Sequence, residues 1–272
     1  MKIASVQMEP KVGEFEKNYS FIKKMIEEAS DHGVDVILFP ELSFSGYTYD
    51  LEVLRNGTEF FQSISDDLIR LSRKYDISIV IGTPRVVGRK IRNSLAIIKK
   101  KREILFYDKT HLFRKENDVF EPGNSFVIFK FKNVAFGVLL CYEIGFPEVT
   151  RVLTLHGAQV ILASFAFGKQ RERIYDVATK ARAIENGVYL VTSSTVGKGI
   201  MNFLGKSRII HPSGKVLEEL NNGEGIITAN IDISTLYHYR YKERGDSHAY
   251  FKRRRPELYY EIPSLKYPVH YD

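Results

Sequence analysis

The chain contains a single cysteine and no tryptophan, and none of its apolar runs is long. A lone thiol, Cys141, excludes an internal disulfide and a zinc site built from several cysteines, so we expect a reducing, cytoplasmic setting. No stretch approaches the roughly 18 apolar residues that a membrane span requires. The opening segment "MKIASVQMEPKVGEF" turns polar too soon for a secretory signal, and we therefore expect no membrane partner.

Linker-like sequence is also missing. No segment is rich enough in proline, glycine or serine to separate two domains, and no sequence period repeats. A chain of 272 residues with 44% apolar content can bury a large core. We therefore predict one domain over residues 1–272, in which residues from about 245 to 272 form a C-terminal docking tail.

Basic residues outnumber acidic residues, which gives the chain a formal net charge of +7. Its densest basic run lies in "YFKRRRPELYY", residues 250–260, where Arg253, Arg254 and Arg255 stand among aromatic residues. No helix-turn-helix, zinc-finger or RNA-binding motif accompanies this run. We expect a solvated or ion-paired tail and no nucleic-acid partner, and salt-dependent retention on DNA would reveal the alternative.

Hydrophobic periodicity predicts strands that alternate with helices. Helices are expected at about 16–30 and 171–186, and a helix–strand pair at 66–82. Strands are expected at 34–40, 92–100, 102–109, 125–131, 134–140 and 188–194, and hairpin strands at 205–220 and 223–232. The basic cluster at 99–102 is expected at a hairpin turn. This alternation favours an α/β fold of mixed sheets with helices on their outer faces.

Three reactive side chains follow predicted strands directly. Glu41 ends "VILFPE", Lys109 ends "ILFYDK", and Cys141 ends "VAFGVLLC". Strand ends are where α/β proteins usually meet their ligands. Burial raises the pKa of a glutamate and lowers that of a lysine, whereas closeness of the two draws both back toward their charged forms. Such a carboxylate and ammonium could activate a neighbouring thiol.

The residues alone leave alternatives open. A lone buried cysteine is often inert packing, and a thiol needs a base or a cation beside it to act as a nucleophile. His111 in "DKTHLF" is another candidate base, or else it braces its loop. "GIMNFLGKS", residues 199–207, fails as a phosphate-binding loop because its spacing is wrong and a strand-like segment follows. No metal-binding pattern occurs, so neither a metal nor a cofactor is expected.

Three segments carry a family resemblance. "FPELSFSGY" with Glu41, "YDKTHLF" with Lys109 and "LLCYEIGFPE" with Cys141 resemble the signature segments of the nitrilase superfamily of carbon-nitrogen hydrolases, in the family's order and approximate spacing. "KARAIENGVYLV", "GKSRIIHPSGKVL" and "RRRPELY" are also similar to family segments. The resemblance covers nearly the whole chain. It implies a four-layer α-β-β-α sandwich of two mixed sheets, paired through its outer helices into a homodimer or a higher homo-oligomer.

The resemblance also implies roles for residues. Cys141 would attack the carbon of an amide, carbamoyl or nitrile group and form a thioester, with Glu41 as general base. The Lys109 ammonium and the backbone N–H of Tyr142 would face the developing anion. Glu116, in the loop after the lysine, matches the family's second glutamate and is expected in the site. No metal or cofactor is implied.

Substrate specificity is less determined by the sequence. The family commonly has an aspartate and then an arginine where this chain has Glu143 and Gly145, and the missing cation makes an ω-amidase of dicarboxylate monoamides less favoured. Substrate contacts are expected from four residues: Tyr47, Tyr142, Phe165 and Ala166. An amidase is the leading expectation, before a carbamoylase or a nitrilase. The alternative of another class is a non-catalytic ligand-binding or scaffold member.

Overall fold

Two six-stranded sheets stack face to face in the computed structural model, which describes residues 1–99 and 103–259. The strands are β1 Lys2–Gln7, β2 Val36–Leu38, β3 Ser78–Val87, β4 Lys90–Ile98, β5 Leu105–Asp108, β6 Ile128–Phe131, β7 Val134–Leu140, β8 Val160–Phe165, β9 Tyr189–Ser194, β10 Val196–Lys198, β11 Asn202–Leu204, β12 Ser207–Ile210, β13 Val216–Leu220 and β14 Gly225–Asn230. The α-helices are α1 Phe15–Asp31, α2 Leu51–Tyr75, α3 Glu116–Val119, α4 Pro147–Leu155, α5 Glu172–Asn186 and α6 Thr235–Tyr241. Short 3₁₀ helices span Cys141–Gly145, Lys169–Arg171 and Pro256–Leu258.

Both sheets are mixed and have the same plan. The first has the order β14-β1-β2-β3-β4-β5, and the second has the order β13-β12-β9-β8-β7-β6. In each sheet three central strands run parallel, namely β1, β2 and β3 in the first and β7, β8 and β9 in the second. Antiparallel strands complete both edges. A small two-stranded ribbon, β10 with β11, stands apart from both sheets.

The layers follow from which residues are buried together. Alternate residues of both sheets, such as Val80 and Leu162, fill one apolar core between the sheets. The opposite face of the first sheet packs against α1 and α2, and that of the second packs against α4 and α5. Side chains of a strand point alternately to its two faces, so strands buried on both sides need continuous apolar runs. The predicted four-layer α-β-β-α sandwich is confirmed.

Most predicted elements lie where the sequence indicates, but α2 begins far earlier than expected. The expected helix starts near residue 66, whereas α2 begins at Leu51. Asp50 caps it by accepting hydrogen bonds from the backbone N–H groups of Glu52 and Val53. The sequence Asn56-Gly57 is typical of a turn, yet Gly57 packs against Pro84, where a β-carbon would lie only 3.0 Å from Cγ. Close packing therefore explains this glycine inside the helix.

The last strands also differ in part from expectation. The hairpin over 205–220 forms, with β12 antiparallel to β13. The next strand, β14, crosses to the first sheet and pairs with β1, so that Lys2 lies opposite Asn230. This crossing ties the two sheets together at one edge. The predicted basic turn at 99–102 lies largely outside the described residues.

The described part of the predicted tail, residues 245–259, packs beside α4 and α6. The Phe251 ring lies 5.9 Å from the Arg151 guanidinium carbon and 5.4 Å from that of Arg240. Arg253 forms an ion pair with Glu243 at 2.6 Å. The remainder of the tail lies outside the described residues, and the single domain over 1–272 stays a prediction. Among the described residues, no helix combines the length and apolar character needed to cross a bilayer.

Candidate active site

Glu41 lies in a tight turn immediately after β2, and its side chain is fully buried. Its Oε1 accepts hydrogen bonds from Lys109 Nζ at 2.7 Å and from Asn93 Nδ2 at 2.7 Å. Its Oε2 accepts one from the backbone N–H of Ala166 at 2.9 Å. Burial raises the pKa of Glu41, and Lys109 opposes this effect only in part. A buried carboxylate with a raised pKa is suited to accept a proton.

Lys109 stands directly after β5 and lies between two carboxylates. Its ammonium is 2.7 Å from Glu41 Oε1 and 2.8 Å from Glu116 Oε1, and all three side chains are buried. Burial alone would lower the pKa of Lys109, but the two carboxylates outweigh burial and raise it above its ordinary value. Lys109 is therefore a fixed positive charge in the interior.

Cys141 follows β7 and begins the 3₁₀ helix Cys141–Gly145. Its backbone has φ of +44°, in the left-handed region that residues with a β-carbon rarely adopt. The thiol is buried, with 6% of the residue exposed. The backbone changes here from strand to 3₁₀ helix within one residue. Strain of this kind clusters at functional sites.

The charges of the site act on the thiol. Burial and the Glu41 carboxylate raise the pKa of Cys141, whereas Lys109 partly opposes them. The Ala166 N–H, which donates to Glu41 Oε2, also favours the Cys141 thiolate. The thiol therefore rests in its protonated form. It needs a base at the moment of attack.

Glu116 belongs to the same buried group. Its Oε1 accepts hydrogen bonds from the Tyr47 hydroxyl at 2.6 Å and from Lys109, and its Oε2 accepts one from the Phe113 N–H at 2.6 Å. Burial and the Glu116 carboxylate raise the pKa of Tyr47 well above its ordinary value, so Tyr47 is a neutral donor. Glu116 is thus the second carboxylate that holds the Lys109 ammonium, in addition to Glu41.

Asn93 is a positioning residue that the sequence did not reveal. It lies in β4, fully buried, and donates to Glu41 while its backbone carbonyl accepts from the Lys109 N–H at 2.9 Å. One residue therefore contacts both the Glu41 carboxylate and the backbone of Lys109. A signal was present, because Asn93 and Ser94 lead directly into the apolar run 95–98 of the same strand.

Glu143 has a larger role than its sequence position indicated. It is fully buried, and its Oε1 accepts hydrogen bonds from the Tyr107 hydroxyl at 2.6 Å and the Thr110 N–H at 2.7 Å. Its Oε2 accepts one from the Leu140 N–H at 2.7 Å. Burial would raise the pKa of Glu143, but the hydrogen bonds from its neighbours outweigh burial and lower it. Glu143 joins the loop that carries Lys109 to the turn that carries Cys141.

Two glycines allow close backbone contacts beside the charged residues. A β-carbon on Gly82 would lie 2.3 Å from the Pro40 carbonyl oxygen, and one on Gly123 would lie 2.2 Å from the Asp108 carbonyl oxygen. Both glycines also donate backbone hydrogen bonds here, Gly82 to the Pro40 carbonyl at 3.2 Å and Gly123 to the Lys109 carbonyl at 2.8 Å. Only glycine fits at these positions.

The remaining predicted contacts differ in their positions. Tyr142 is partly buried, and its ring lies 5.0 Å from that of Phe113. Ala166 lies in the apolar cluster that includes Tyr47, and its backbone N–H rather than its methyl group contacts Glu41. Phe165 is fully buried, 5.3 Å from the Tyr175 ring, so it supports the site from the core side. Its substrate contact stays a prediction.

Two further side chains brace the site. The His111 ring stacks on Phe146 at 4.3 Å, and its Nδ1 is 2.8 Å from Thr110 Oγ1, so this histidine holds its loop. Arg182 pairs with Glu185 at 3.1 Å, and its Nε donates to the Ile144 carbonyl at 3.0 Å. The bond to Ile144 anchors the cysteine turn to α5. The described residues contain no group of three or more acidic, histidine or cysteine side chains arranged to hold a metal.

A family model described as carbon-nitrogen hydrolase matches residues 2–241. The chain is 35% identical to a nitrilase of Pyrococcus abyssi in an alignment 271 residues long, which covers 96% of this chain and 99% of the relative. It is 32% identical to a 2-oxoglutaramate amidase of Bacillus subtilis, over 85% of this chain and 90% of the relative. A crystal structure of an amidase from Nesterenkonia sp. superposes with a TM-score of 0.83 at 25% identity, covering 96% of each chain.

Proposed function

The chain belongs to the carbon-nitrogen hydrolase family, and from this premise we propose that it hydrolyses small linear amides through a thioester on Cys141. The observation that carries the proposal is the Glu-Lys-Cys triad. One buried ammonium lies 2.7 Å from the Glu41 carboxylate, and both charges act on the pKa of the thiol. Burying charged groups costs free energy even when they are paired. A non-catalytic member would have no use for this costly arrangement.

In the first half-reaction, Glu41 accepts the Cys141 proton while sulfur attacks the amide carbon. The carbonyl electrons move to oxygen, where the Lys109 ammonium and the Tyr142 N–H stabilise them. Tyr142 is the second residue of a 3₁₀ helix, and the first N–H groups of a helix lack acceptors within it. Loss of one such donor typically costs about 3–4 kcal/mol of barrier.

Acylation is completed when the carbon–nitrogen bond breaks and Glu41 returns the proton to the departing nitrogen. Ammonia or an amine leaves, and the acyl group remains on sulfur as a thioester. Glu41 then accepts a proton from water, whose oxygen attacks the thioester carbon. The acid departs, and the proton on Glu41 returns to the thiolate. The raised pKa of Glu41 suits a group that accepts and donates a proton in turn.

Glu116 and Asn93 fix the reacting groups in this scheme. Glu116 holds Lys109 charged, and its bond to Tyr47 places a neutral hydroxyl at the same wall. Asn93 holds the Glu41 carboxylate in one orientation. Tyr142 and Ala166 act through their backbone N–H groups. Tyr47 and Phe165 shape the part of the site that receives the acyl group of the substrate.

Ammonia release from a panel of linear amides, N-carbamoyl compounds and nitriles tests the proposal. We expect the amides to be the best substrates and Cys141→Ala to release no ammonia. A preference for N-carbamoyl compounds or nitriles would correct the substrate class within the family. Failure of every compound, together with normal folding, would favour the non-catalytic alternative.

We also infer that two copies pair through α5. Its inner face is buried, while Ile174, Val177 and Ile184 are 55%, 64% and 39% exposed. They recur at helical spacing and form an apolar stripe on the outer face. A homodimer would cover this stripe. Light scattering should give a molar mass of twice 31.3 kDa for the wild type and the monomer mass for Val177→Lys. A monomeric wild-type protein would contradict the inference.

We also propose the reducing, cytoplasmic setting that the single cysteine led us to expect.

A further inference from the structure

A cavity of about 490 Å³ lies beside the triad, and its charged lining is of one sign. Arg114, Arg171 and Lys198 contribute to its wall, and the cavity has no carboxylate among its described lining residues. The three cations come from separate segments: the loop before α3, the 3₁₀ helix before α5, and the end of β10. The fold therefore brings them together from distant parts of the chain.

The cavity shares its walls with the active site. Phe113 lines it, donates its N–H to Glu116, and packs its ring 5.0 Å from that of Tyr142, the residue after the cysteine. Met201 also lines it and packs against the apolar cluster that contains Tyr47. Because Cys141 is itself 94% covered, this cavity is the natural place for the part of a substrate that extends away from the amide.

Arg171 is held in place within this wall. Its guanidinium carbon lies 4.1 Å from the Phe113 ring centroid and 4.5 Å from the Phe167 centroid. Stacking between two aromatic faces fixes the plane of an arginine and leaves its N–H donors free at the edge. Such an arginine can bind a carboxylate without first losing side-chain freedom.

Nearby acidic residues are occupied elsewhere. Glu172, next to Arg171 in sequence, pairs with Lys206 at 2.5 Å, and Asp176 pairs with Arg208 at 2.6 Å. Within the described residues, Arg114, Arg171 and Lys198 form no ion pair. The cavity thus presents three uncompensated cations beside a site for small amides.

We propose that the substrate is an amide that carries a carboxylate at its far end, bound by Arg171 with support from Arg114 and Lys198. This inference rests on the proposed amide hydrolysis and names its substrate class. The chain lacks a cation at Gly145, but the cavity supplies cations from the opposite loops. The amide would be cleaved at Cys141 while the carboxylate stays in the cavity.

The first experiment compares monoamides of straight-chain dicarboxylic acids with neutral aliphatic amides of equal length. We expect a higher kcat/KM for the carboxylates, and the advantage should shrink as salt is raised. Arg171→Gln should reduce the carboxylate-to-neutral ratio by about tenfold or more. Arg173→Gln, an exposed arginine of α5 outside the cavity, is the matched control and should preserve the ratio. Arg114→Gln provides a second cavity variant, independent of the stacking at Arg171.

The second experiment does not require turnover. Iodoacetamide alkylates the only cysteine of the chain, so its rate reports directly on Cys141. Glutarate should slow this alkylation in the wild type and much less in Arg171→Gln, whereas pentanamide should protect both proteins alike.

The outcomes separate this inference from the proposed function. Turnover of neutral and carboxylate amides with equal kcat/KM, unchanged by Arg171→Gln, would overturn the inference and leave amide hydrolysis intact. Absence of any turnover with selective protection by glutarate would support the anion site and overturn the hydrolysis. Equal protection of both proteins by glutarate would overturn the anion site.

Discussion

Replacing Lys109 by methionine should destabilise the fold in a pH-dependent way. Lys109 is the ammonium placed 2.7 Å from Glu41 and 2.8 Å from Glu116, with all three side chains fully buried. Methionine has a similar length and no charge, so it leaves two carboxylates facing each other in the interior. Removing one partner of a buried ion pair typically costs about 3–5 kcal/mol, because the remaining charge stays uncompensated.

The buried Glu41 carboxyl can escape this cost by binding a proton. In the variant the pKa of Glu41 rises further above the ordinary glutamate value near 4.3, since Lys109 no longer opposes burial and the repulsion of Glu116. At pH values between the ordinary and the raised pKa, the folded state then holds protons that the unfolded state has lost. Stability falls as pH rises through this window, by about 1.4 kcal/mol per pH unit for the Glu41 carboxyl. The gap between variant and wild type should therefore be smaller near pH 5 than near pH 8.

Urea unfolding at several pH values measures this gap. Lys24→Met, which removes an exposed lysine from α1, is the matched control and should change stability little. The double variant Lys109→Met with Glu116→Gln should recover part of the loss, because it leaves only one buried carboxylate. A loss below about 1 kcal/mol that does not change with pH would refute the reasoning, since that is the behaviour of a solvent-exposed pair.

Three further predictions concern the groups around the triad. Glu41→Gln should lower kcat by about 10²-fold or more. In the wild type, the acid limb of the plot of kcat/KM against pH should lie above the ordinary glutamate pKa near 4.3. An acid limb at or below that value would contradict the raised pKa of Glu41. Gly82→Ala should reduce activity and destabilise the fold by about 1–3 kcal/mol, because its β-carbon would meet the Pro40 carbonyl. Gly145→Ala is the control, since its β-carbon would lie in open space. Equal effects of the two substitutions would contradict the packing argument. Glu143→Gln should cost about 1–3 kcal/mol near pH 7 in urea unfolding. Because the pKa of Glu143 is lowered by folding, this difference should shrink as pH falls below the ordinary glutamate value, and a difference that grew instead would contradict it.

The charged residues of the site were predictable from sequence for a simple reason. Glu41, Lys109 and Cys141 each follow an apolar strand, and the carboxyl ends of strands are where α/β proteins usually bind their ligands. The family resemblance added Glu116 and the four-layer fold. The helix α2 was only half predicted, because Gly57 lowers helix propensity and its packing against Pro84 is visible only in three dimensions.

The supporting residues depend on pairings that sequence does not contain. Asn93 meets Glu41 across 52 positions of chain, and it does so because β4 pairs antiparallel to β3 in one particular register. Ala166 meets Glu41 across 125 positions, through its backbone rather than through the side chain that sequence reasoning considered. Glu143 was recognised as a departure from the family, but its hydrogen bonds to the Lys109 loop follow from how β5 and β7 lie in opposite sheets.

The central claim is that Cys141 carries the acyl group. Rapid acid quenching within the first turnover, followed by intact-protein and peptide mass measurement, tests it most directly. The account predicts a mass increase equal to the acyl group in place of one hydrogen, located on the peptide that contains Cys141, and no adduct or ammonia release in Cys141→Ala. Continued ammonia release by a folded Cys141→Ala variant, or an acyl group on any other residue, would contradict it.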